Sequence, residues 1–262
     1  MKPWLKYIVL GFVCYLLFLV VKFPASSAYS FARESLLEQK VPIKLYGLNG
    51  SVWQGSADVM IYDGKRFDAV AWEFHPMDLL TANLTLSVRL KGEDLALKGR
   101  VSQSFFGETR LQNVQANVSA MELLALLKIP AVKLDGKFSL NVPLMTVTGK
   151  VPTYIQGKLL WSDAESKFPQ KLSLGDLYAN LSTGDDGKIT ATLGDGGGPL
   201  ELSGNLELDK NGKYDLKGLF AAREGRKSTL GRSLGFVGRY DSTGKIPFNQ
   251  SGNVSEFEFL VK

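Results

Sequence analysis

Residues 198–218 read GPLELSGNLELDKNGKYDLKG, and this stretch decides the fold class. Apolar and polar residues alternate along it on both sides of an Asn211-Gly212 pair. Alternation with period two puts the apolar residues on one face of a strand, and Asn-Gly is the strongest short hairpin signal. The stretch therefore predicts an antiparallel hairpin whose apolar face carries Leu200, Leu202, Leu206, Leu208, Tyr214 and Leu216.

The same alternation recurs in two further pairs of segments. Residues 84–90 and 95–101 flank a Gly-Glu-Asp turn, and residues 177–181 and 189–193 flank Asp186-Gly187. Each pair is typical of a hairpin with one apolar face and one wet face.

Helical signals are few. Residues 27–40 form an amphipathic pattern, and Ser119 with Glu122 forms a capping box that leads into a leucine-rich helix. Residues 76–80 add one turn. The fold class predicted is therefore mostly β, with two or three short helices after the N-terminal segment.

Five glycines occupy the apolar phase of predicted strands within an aliphatic-x-Gly-x-apolar pattern. A missing side chain on the inner face lets a sheet bend. The pattern predicts a strongly curved antiparallel sheet, folded as a half-pipe, a sandwich or an incomplete barrel. Its apolar face forms either an ordinary packed core or a groove open to an acyl chain. The glycines are Gly99, Gly136, Gly157, Gly204 and Gly218.

The N-terminal segment predicts a membrane anchor. Residues 7–21 are unbroken apolar, and residues 5–23 would span about 28 Å as a helix if Lys6 and Lys22 extend toward the headgroups. Lys2 and Lys6 precede the run, which predicts a cytoplasmic N-terminus. The anchor residues we expect to face lipid or the interface are Trp4, Tyr7, Phe12, Tyr15, Phe18 and Phe23.

A cleaved signal peptide is the alternative interpretation, since residues 24–28, Pro-Ala-Ser-Ser-Ala, resemble a cleavage region. Both interpretations place the rest of the chain across the membrane. The predicted organisation is a cytoplasmic tip and anchor over 1–25, an amphipathic connecting helix over 26–42, and a β domain over 43–262.

Charge and composition exclude several functions. Removing Lys2, Lys6 and Lys22 from the 31 basic residues leaves 28 against 26 acidic ones, with no concentrated basic stripe of the kind that binds nucleic acid. The chain has one cysteine, Cys14, and one histidine, His75. We therefore expect no disulfide within the domain, no metal, no cofactor and no catalytic site.

Two glycine-containing motifs are candidate binding sites. Residues 194–198, Gly-Asp-Gly-Gly-Gly, lack the Gly-Lys-Ser/Thr ending of a phosphate loop and indicate a turn. Residues 50–57, GSVWQGSA, set Trp53 between Gly50 and Gly55, which predicts a strand whose backbone is approached closely beside a large ring. Trp53 is either a core tryptophan at a bulge or part of a surface that binds a partner.

Taken in order, these residues resemble the protein N family of bacterial type II secretion systems. The resemblance covers nearly the whole chain. It rests on the N-terminal anchor, on residues 50–57, on Trp72 with Pro76, Leu79 and Leu80, on 157–161 with Trp161, and on residues 198–218. Its candidate interaction or family-motif residues are Gly50, Trp53, Gly55, Trp72, Pro76 and Trp161. The family's Pro-Arg pair after the last hairpin is only half kept, as Ala222-Arg223.

The resemblance implies an accessory, non-enzymatic protein in the inner membrane of a Gram-negative cell, with its N-terminus in the cytoplasm and its main domain in the periplasm. Its partners would be other type II secretion subunits, namely the inner-membrane platform and the outer-membrane secretin. The alternative hypothesis is an envelope protein like AsmA, which binds or transfers lipid in an apolar β groove. Nucleic acid is not an expected partner.

Overall fold

The computed structural model describes residues 3–39, 41–127, 133–149, 151–167 and 170–254. The chain divides into two compact units, Met1–Glu93 and Asp94–Lys262. In both, the paired strands are antiparallel, so the mostly β prediction is confirmed. The predicted boundaries at residues 25 and 42 follow sequence segments rather than compact units and stay predictions.

The described residues of the first unit form an N-terminal helix, a second helix, four strands and a short 3-10 helix of two turns. The strands pair in chain order as a meander. The elements are α1 (Pro3–Val21), α2 (Ala25–Glu38), β1 (Ile43–Gly50), β2 (Gln54–Tyr62), β3 (Lys65–Phe74), the 3-10 helix (Pro76–Thr81) and β4 (Asn83–Lys91).

Helix α2 packs beside the edge of this meander. The backbone N–H of Leu45 in β1 donates to the Tyr29 hydroxyl of α2 over 3.2 Å. The unpaired N–H groups of an edge strand can form hydrogen bonds with a strand of another protein. The helix therefore covers β1 at this point.

In the part of the second unit that the structure describes, the chain forms a longer meander with two helices. Neighbouring strands in the chain are also neighbours in the sheet. The elements are β5 (Leu95–Ser104), β6 (Glu108–Ser119), α3 (Ala120–Leu126), β7 (Leu134–Thr148), β8 (Val151–Ser166), β9 (Leu172–Thr183), β10 (Ile189–Asp195), β11 (Leu200–Leu208), β12 (Lys213–Ala222), α4 (Thr229–Val237) and β13 (Ile246–Asn253).

Three features predicted from a few consecutive residues, two hairpins and one helix cap, are present in the structure. The hairpin at Asn211-Gly212 pairs Leu208 with Tyr214, and the hairpin at Asp186-Gly187 pairs β9 with β10. The Ser119 hydroxyl accepts the Glu122 backbone N–H over 3.2 Å and caps α3. These predictions are confirmed because each depends on a few consecutive residues.

Two apolar clusters form the core of the second unit. One contains Leu177 and Leu200 and is covered by Leu230 and Leu234 of α4. The other joins Val142, Ile155, Ile189 and Leu208, from β7, β8, β10 and β11. Helix α4 was not predicted, since Gly231 and Gly235 lower helix propensity, although a Ser228 cap and leucines four apart mark it.

The five glycines lie in strands, and large side chains fill the space that they leave. A Cβ on Gly157 would lie 2.8 Å from Val142 Cγ2, and one on Gly99 would lie 3.1 Å from Val114 Cγ2. Gly204 and Gly218 are paired with each other, and the Phe248 ring lies over both. Gly136 has φ of +102° at a register shift, a conformation that favours glycine. The glycines thus make room for neighbouring side chains. The strong sheet curvature and the half-pipe, sandwich or incomplete barrel stay predictions.

Helix α1 presents apolar side chains outward. Each side chain that the structure describes in it is exposed, including Trp4, Tyr7, Phe12, Tyr15 and Phe18. Counting only described residues, no helix offers a continuous apolar length sufficient to cross a membrane.

Replacing Gly218 with alanine should destabilise the protein by about 1–3 kcal/mol, because the new methyl group would overlap the Phe248 ring and the Ser203 carbonyl. Gly235→Ala is the matched control. A Cβ there would have only an ordinary 3.7 Å contact with Tyr240, so stability should hold or rise by about 0.5–1 kcal/mol. Urea unfolding of the full chain in detergent measures both; equal effects would contradict the close packing over Gly218.

Candidate interaction site at the end of the N-terminal helix

The β1–β2 hairpin closes around Trp53. Gly50 and Gly55 face each other as the last pair of the ladder, and residues 51–53 form the turn between them. The Ser51 backbone N–H donates to the Gln54 carbonyl over 2.8 Å. The prediction of Trp53 inside a strand is therefore wrong, because Gly50, at φ of +83°, reverses the chain before the tryptophan is reached.

Trp53 joins this turn to the end of α1. Its indole Nε1 donates to the Val20 carbonyl over 2.7 Å. The last carbonyls of a helix have no intrahelical donor, so they are free to accept such a bond. Val20 O also receives the Phe23 backbone N–H at 3.3 Å, which uses the second lone pair. The Trp53 ring centroid lies 5.1 Å from that of Phe74.

The backbone adds two further connections at the same place. The Val52 N–H donates to the Phe23 carbonyl over 3.0 Å, and Pro24 forms an isolated antiparallel bridge with Ser51. The turn is thus connected to Val20 in the last turn of α1 and to Phe23 and Pro24 just after it. A flexible tether would show no such set of bonds.

Trp72 holds the turn from the strand side. It lies in β3 directly opposite Gly55, where a Cβ would come within 2.5 Å of Trp72 Cζ2. Its indole Nε1 donates to the Val52 carbonyl over 3.0 Å. Gly55 is therefore required for close approach of the ring, and Trp72 fixes the residue that binds Phe23.

A groove of about 740 Å³ opens beside this junction. Its apolar lining comes from the last turn of α1, the β1–β2 turn, the end of β3 and the 3-10 helix, with Lys22 and Glu73 as its charged members. A second cavity of about 290 Å³ is lined by α1 residues together with Val52 and Trp53. The apolar lining residues of the groove include Val20, Val21, Trp53, Phe74, Pro76 and Leu79.

Three of the six motif residues meet at this site, and two support it. Trp53, Gly50 and Pro76 line the groove, while Gly55 and Trp72 position the turn. The sequence placed Val20 and Phe23 in the anchor and Leu79 among the residues of the family resemblance, but it did not indicate that they meet the turn at Val52 and Trp53. The alternation of apolar and polar residues ends at Gly50. That end was the sequence signal for a turn at residues 51–53.

His75 sits where the chain enters the 3-10 helix. Its backbone N–H donates to the Thr85 carbonyl over 3.0 Å, and its Nε2 lies 2.8 Å from Ser87 Oγ. Both contacts reach β4 and fix the residue that precedes Pro76. Within the described ranges, no three His, Cys, Asp or Glu side chains are grouped so as to hold a metal ion.

Trp161 belongs to the core of the second unit. Its ring stacks on Phe138 at a centroid distance of 5.0 Å, and its Nε1 donates to the Asp135 carbonyl over 3.0 Å. It packs against the cluster that contains Leu177 and Leu200. Its contacts therefore stabilise the second unit.

Arg223, the retained half of the family's Pro-Arg pair, organises the glycine-rich turn at 194–198. Its guanidinium pairs with Asp195 and donates from Nε to the Gly198 carbonyl over 2.8 Å. Asp195 also accepts the backbone N–H groups of Gly197 and Leu202, each over 2.9 Å. The turn is thus a closed structural loop rather than a cradle for phosphate.

Trp53→Phe should destabilise the protein by about 1–2 kcal/mol, because it removes the donor to Val20 while keeping the ring against Phe74. Trp4→Phe, at an exposed position of α1, should change stability little. Hydrogen exchange at the Val52 amide gives a local measure and should be faster only in Trp53→Phe. Unchanged Val52 exchange would show that the indole bond does not hold the turn.

The Asp195 contact should make stability depend on pH. Burial raises the pKa of Asp195, but the Leu202 and Gly197 N–H donors and the Arg223 charge together hold it below the usual 3.8. A depressed pKa adds stability above the unfolded value, and that stability is lost as the pH falls through the folded pKa. Asp195→Asn should therefore be less stable than the native chain near neutral pH, with the gap closing as the pH falls through the lowered pKa of Asp195. Asp185→Asn, in an exposed turn, is the control; a gap that persists in acid would contradict the assignment.

Comparison with known proteins agrees with the resemblance seen in the sequence. A family model described as "Type II secretion system (T2SS), protein N" matches residues 42–249. A type II secretion system protein N from Aeromonas hydrophila is 26% identical over 246 residues, which cover 92% of this chain and 95% of the relative. One from Vibrio cholerae serotype O1 is 24% identical over 217 residues, covering 81% and 85%.

No solved structure matches the chain. The family match covers most of the chain, including the Trp53 turn, the Trp72 strand and the Arg223 loop. The resemblance is therefore confirmed, and this chain belongs to the type II secretion system protein N family.

Proposed function

We propose that this type II secretion component is held in the inner membrane by α1 and carries its β domain in the periplasm, bonded to the end of that helix. The domain contacts other secretion subunits, either the inner-membrane platform or the secretin, while folded proteins cross the outer membrane. The observation that carries this proposal is the set of bonds from the Trp53 turn to Val20 and Phe23. No catalytic role is proposed.

Two observations support the proposed anchor, the N-terminal sequence and the exposure of the apolar side chains described in α1. The apolar run over residues 7–21 has a basic residue at each flank, and the described side chains of α1 are exposed large apolar groups. A helix that is apolar all round is stable only where its whole surface is covered. A bilayer supplies such a cover, with the aromatic residues near its ends placed at the interfaces.

Contact with partners is best supported at an open strand edge. Strand β13 pairs with β12 alone among the described residues, and its Asn249, Gln250 and Ser251 are exposed. An extended segment of another subunit could add to this edge through main-chain hydrogen bonds.

The lipid-transfer alternative has weaker support. It rested on the five glycines opening an apolar groove, and in this structure Val114, Val142 and Phe248 fill the space beside four of them. The second unit is packed around its two clusters. Lipid handling remains the second hypothesis, without a contact that favours it.

Two measurements in a Gram-negative cell that lacks its own protein N test the proposal. The full chain should remain in the membrane pellet after alkaline carbonate extraction, with its β domain digested by protease added to spheroplasts. It should also restore secretion of type II substrates. A chain released by carbonate would refute the anchor, and secretion that is the same with and without the chain would refute the secretion role.

The matched variants separate anchoring from coupling. A flexible Gly-Ser insertion between Val52 and Trp53 should leave the chain in the membrane but reduce secretion, because the turn can then no longer bond Val20 and Phe23 together at the end of α1. The same insertion in the exposed turn at Gly64 should be tolerated. Equal secretion by both insertion variants would contradict a function for the bonded junction.

A further inference from the structure

The 3-10 helix presents three distinct faces. Side chains three residues apart are eclipsed in this helix type, so its six residues fall into three pairs. Pro76 and Leu79 line the groove beside α1. Asp78 and Thr81 form a polar pair, with the Thr81 hydroxyl donating to the Asp78 carbonyl over 2.9 Å.

The third pair, Met77 and Leu80, points away from the protein. Their exposed fractions are 75% and 84%, among the largest for any apolar side chain in the first unit. Scattered exposed apolar residues are ordinary, but two on one face of one helical turn form a local patch. We call this pair the apolar foot.

The position of the apolar foot relative to α1 indicates what covers it. Pro76 and Leu79 line the same groove as Val20 and Val21, so the 3-10 helix lies beside the last turn of α1. The apolar run of α1 ends at this turn, followed by Lys22. If α1 spans the bilayer, the end of that run marks the boundary between acyl chains and headgroups.

We propose that the apolar foot inserts into the membrane surface around the end of α1, with Met77 and Leu80 in the acyl–headgroup boundary. This inference rests on the proposed anchor. The occupant is lipid rather than protein because the 3-10 helix that carries the foot lines one groove together with the last turn of α1, and lipid is the phase that surrounds the end of a membrane anchor. The bonds from the Trp53 turn to Val20 and Phe23 hold the first unit at that depth.

The charges beside the foot fit a membrane surface. Between residues 76 and 81 the one charged side chain is Asp78, and it lies on the polar face of the 3-10 helix, away from Met77 and Leu80. Lys22 and Glu73 line the groove on the other side of Pro76 and Leu79. Opposite charges at the headgroup level match a zwitterionic lipid such as phosphatidylethanolamine.

Nitroxide labels on the full chain test the depth of the foot. The chain is reconstituted in vesicles of phosphatidylethanolamine and phosphatidylglycerol, with Cys14→Ala so that each label is unique. Leu80→Cys probes the foot and Phe12→Cys probes the middle of α1. Tyr62→Cys is the control, an exposed residue at the opposite end of β2, about 27 Å along the strand from Gln54. The measurement is accessibility to oxygen, which partitions into lipid, against a water-soluble nickel complex.

The Leu80 label should favour oxygen several-fold over the Tyr62 label and approach the value at Phe12. A Leu80 label that matches Tyr62, while Phe12 reports a lipid environment, would overturn the foot and leave the anchor standing. A Leu80 label shielded from both reagents would also overturn it, since a protein would then cover this face. A Phe12 label exposed to nickel would refute the anchor and, with it, the foot. If Leu80→Cys fails to fold by tryptophan fluorescence, Met77→Cys on the same face replaces it, with the same expectations.

Discussion

A large side chain lying over a glycine of the paired strand is the contact on which both units depend. Trp72 lies over Gly55 in the first unit, while Phe248 lies over Gly218 and Tyr178 over Gly194 in the second. Each pair replaces two ordinary side chains by one ring against bare backbone, so the apolar contact is made within the sheet itself. A sheet with few helices to cover it gains much of its packing in this way. The Trp53 turn exists because Gly55 admits Trp72, whose indole then binds Val52.

Features of the fold that depend on a few consecutive residues were predictable from the sequence, whereas those that depend on residues far apart in the chain were not. The hairpins at residues 186–187 and 211–212 and the cap at Ser119 are written in consecutive residues, and they formed as predicted. The glycine positions were also visible, but their partners were not, because register decides which side chain lies opposite each one. Trp53 was misplaced because the pairing of Gly50 with Gly55 turns the chain, and the one local sign of that pairing is the end of the alternating pattern at Gly50.

The candidate site shows a similar division. The motif residues were found from the sequence, yet their role depends on Val20 and Phe23, more than two dozen residues earlier in the chain. Those partners contribute backbone carbonyls, which every residue type has, so composition carries no trace of them. The carbonyls are available because a helix ends there, and the position of that end is a property of α1 as a whole. Arg223 differs because its side chain, not its backbone, makes the bonds. It could be singled out in the sequence, and its bonds to Asp195 and Gly198 close the glycine-rich turn.

The Tyr29 hydroxyl affects how readily another strand can pair with the edge of β1. A protein with two open strand edges can join copies of itself end to end into a fibre. Here one outward amide of β1 is already bonded to α2, whereas β13 has a strand neighbour on one side alone among the described residues. A strand added to β1 would have to displace Tyr29 from the Leu45 amide, and that exchange lowers the net gain from pairing at this edge.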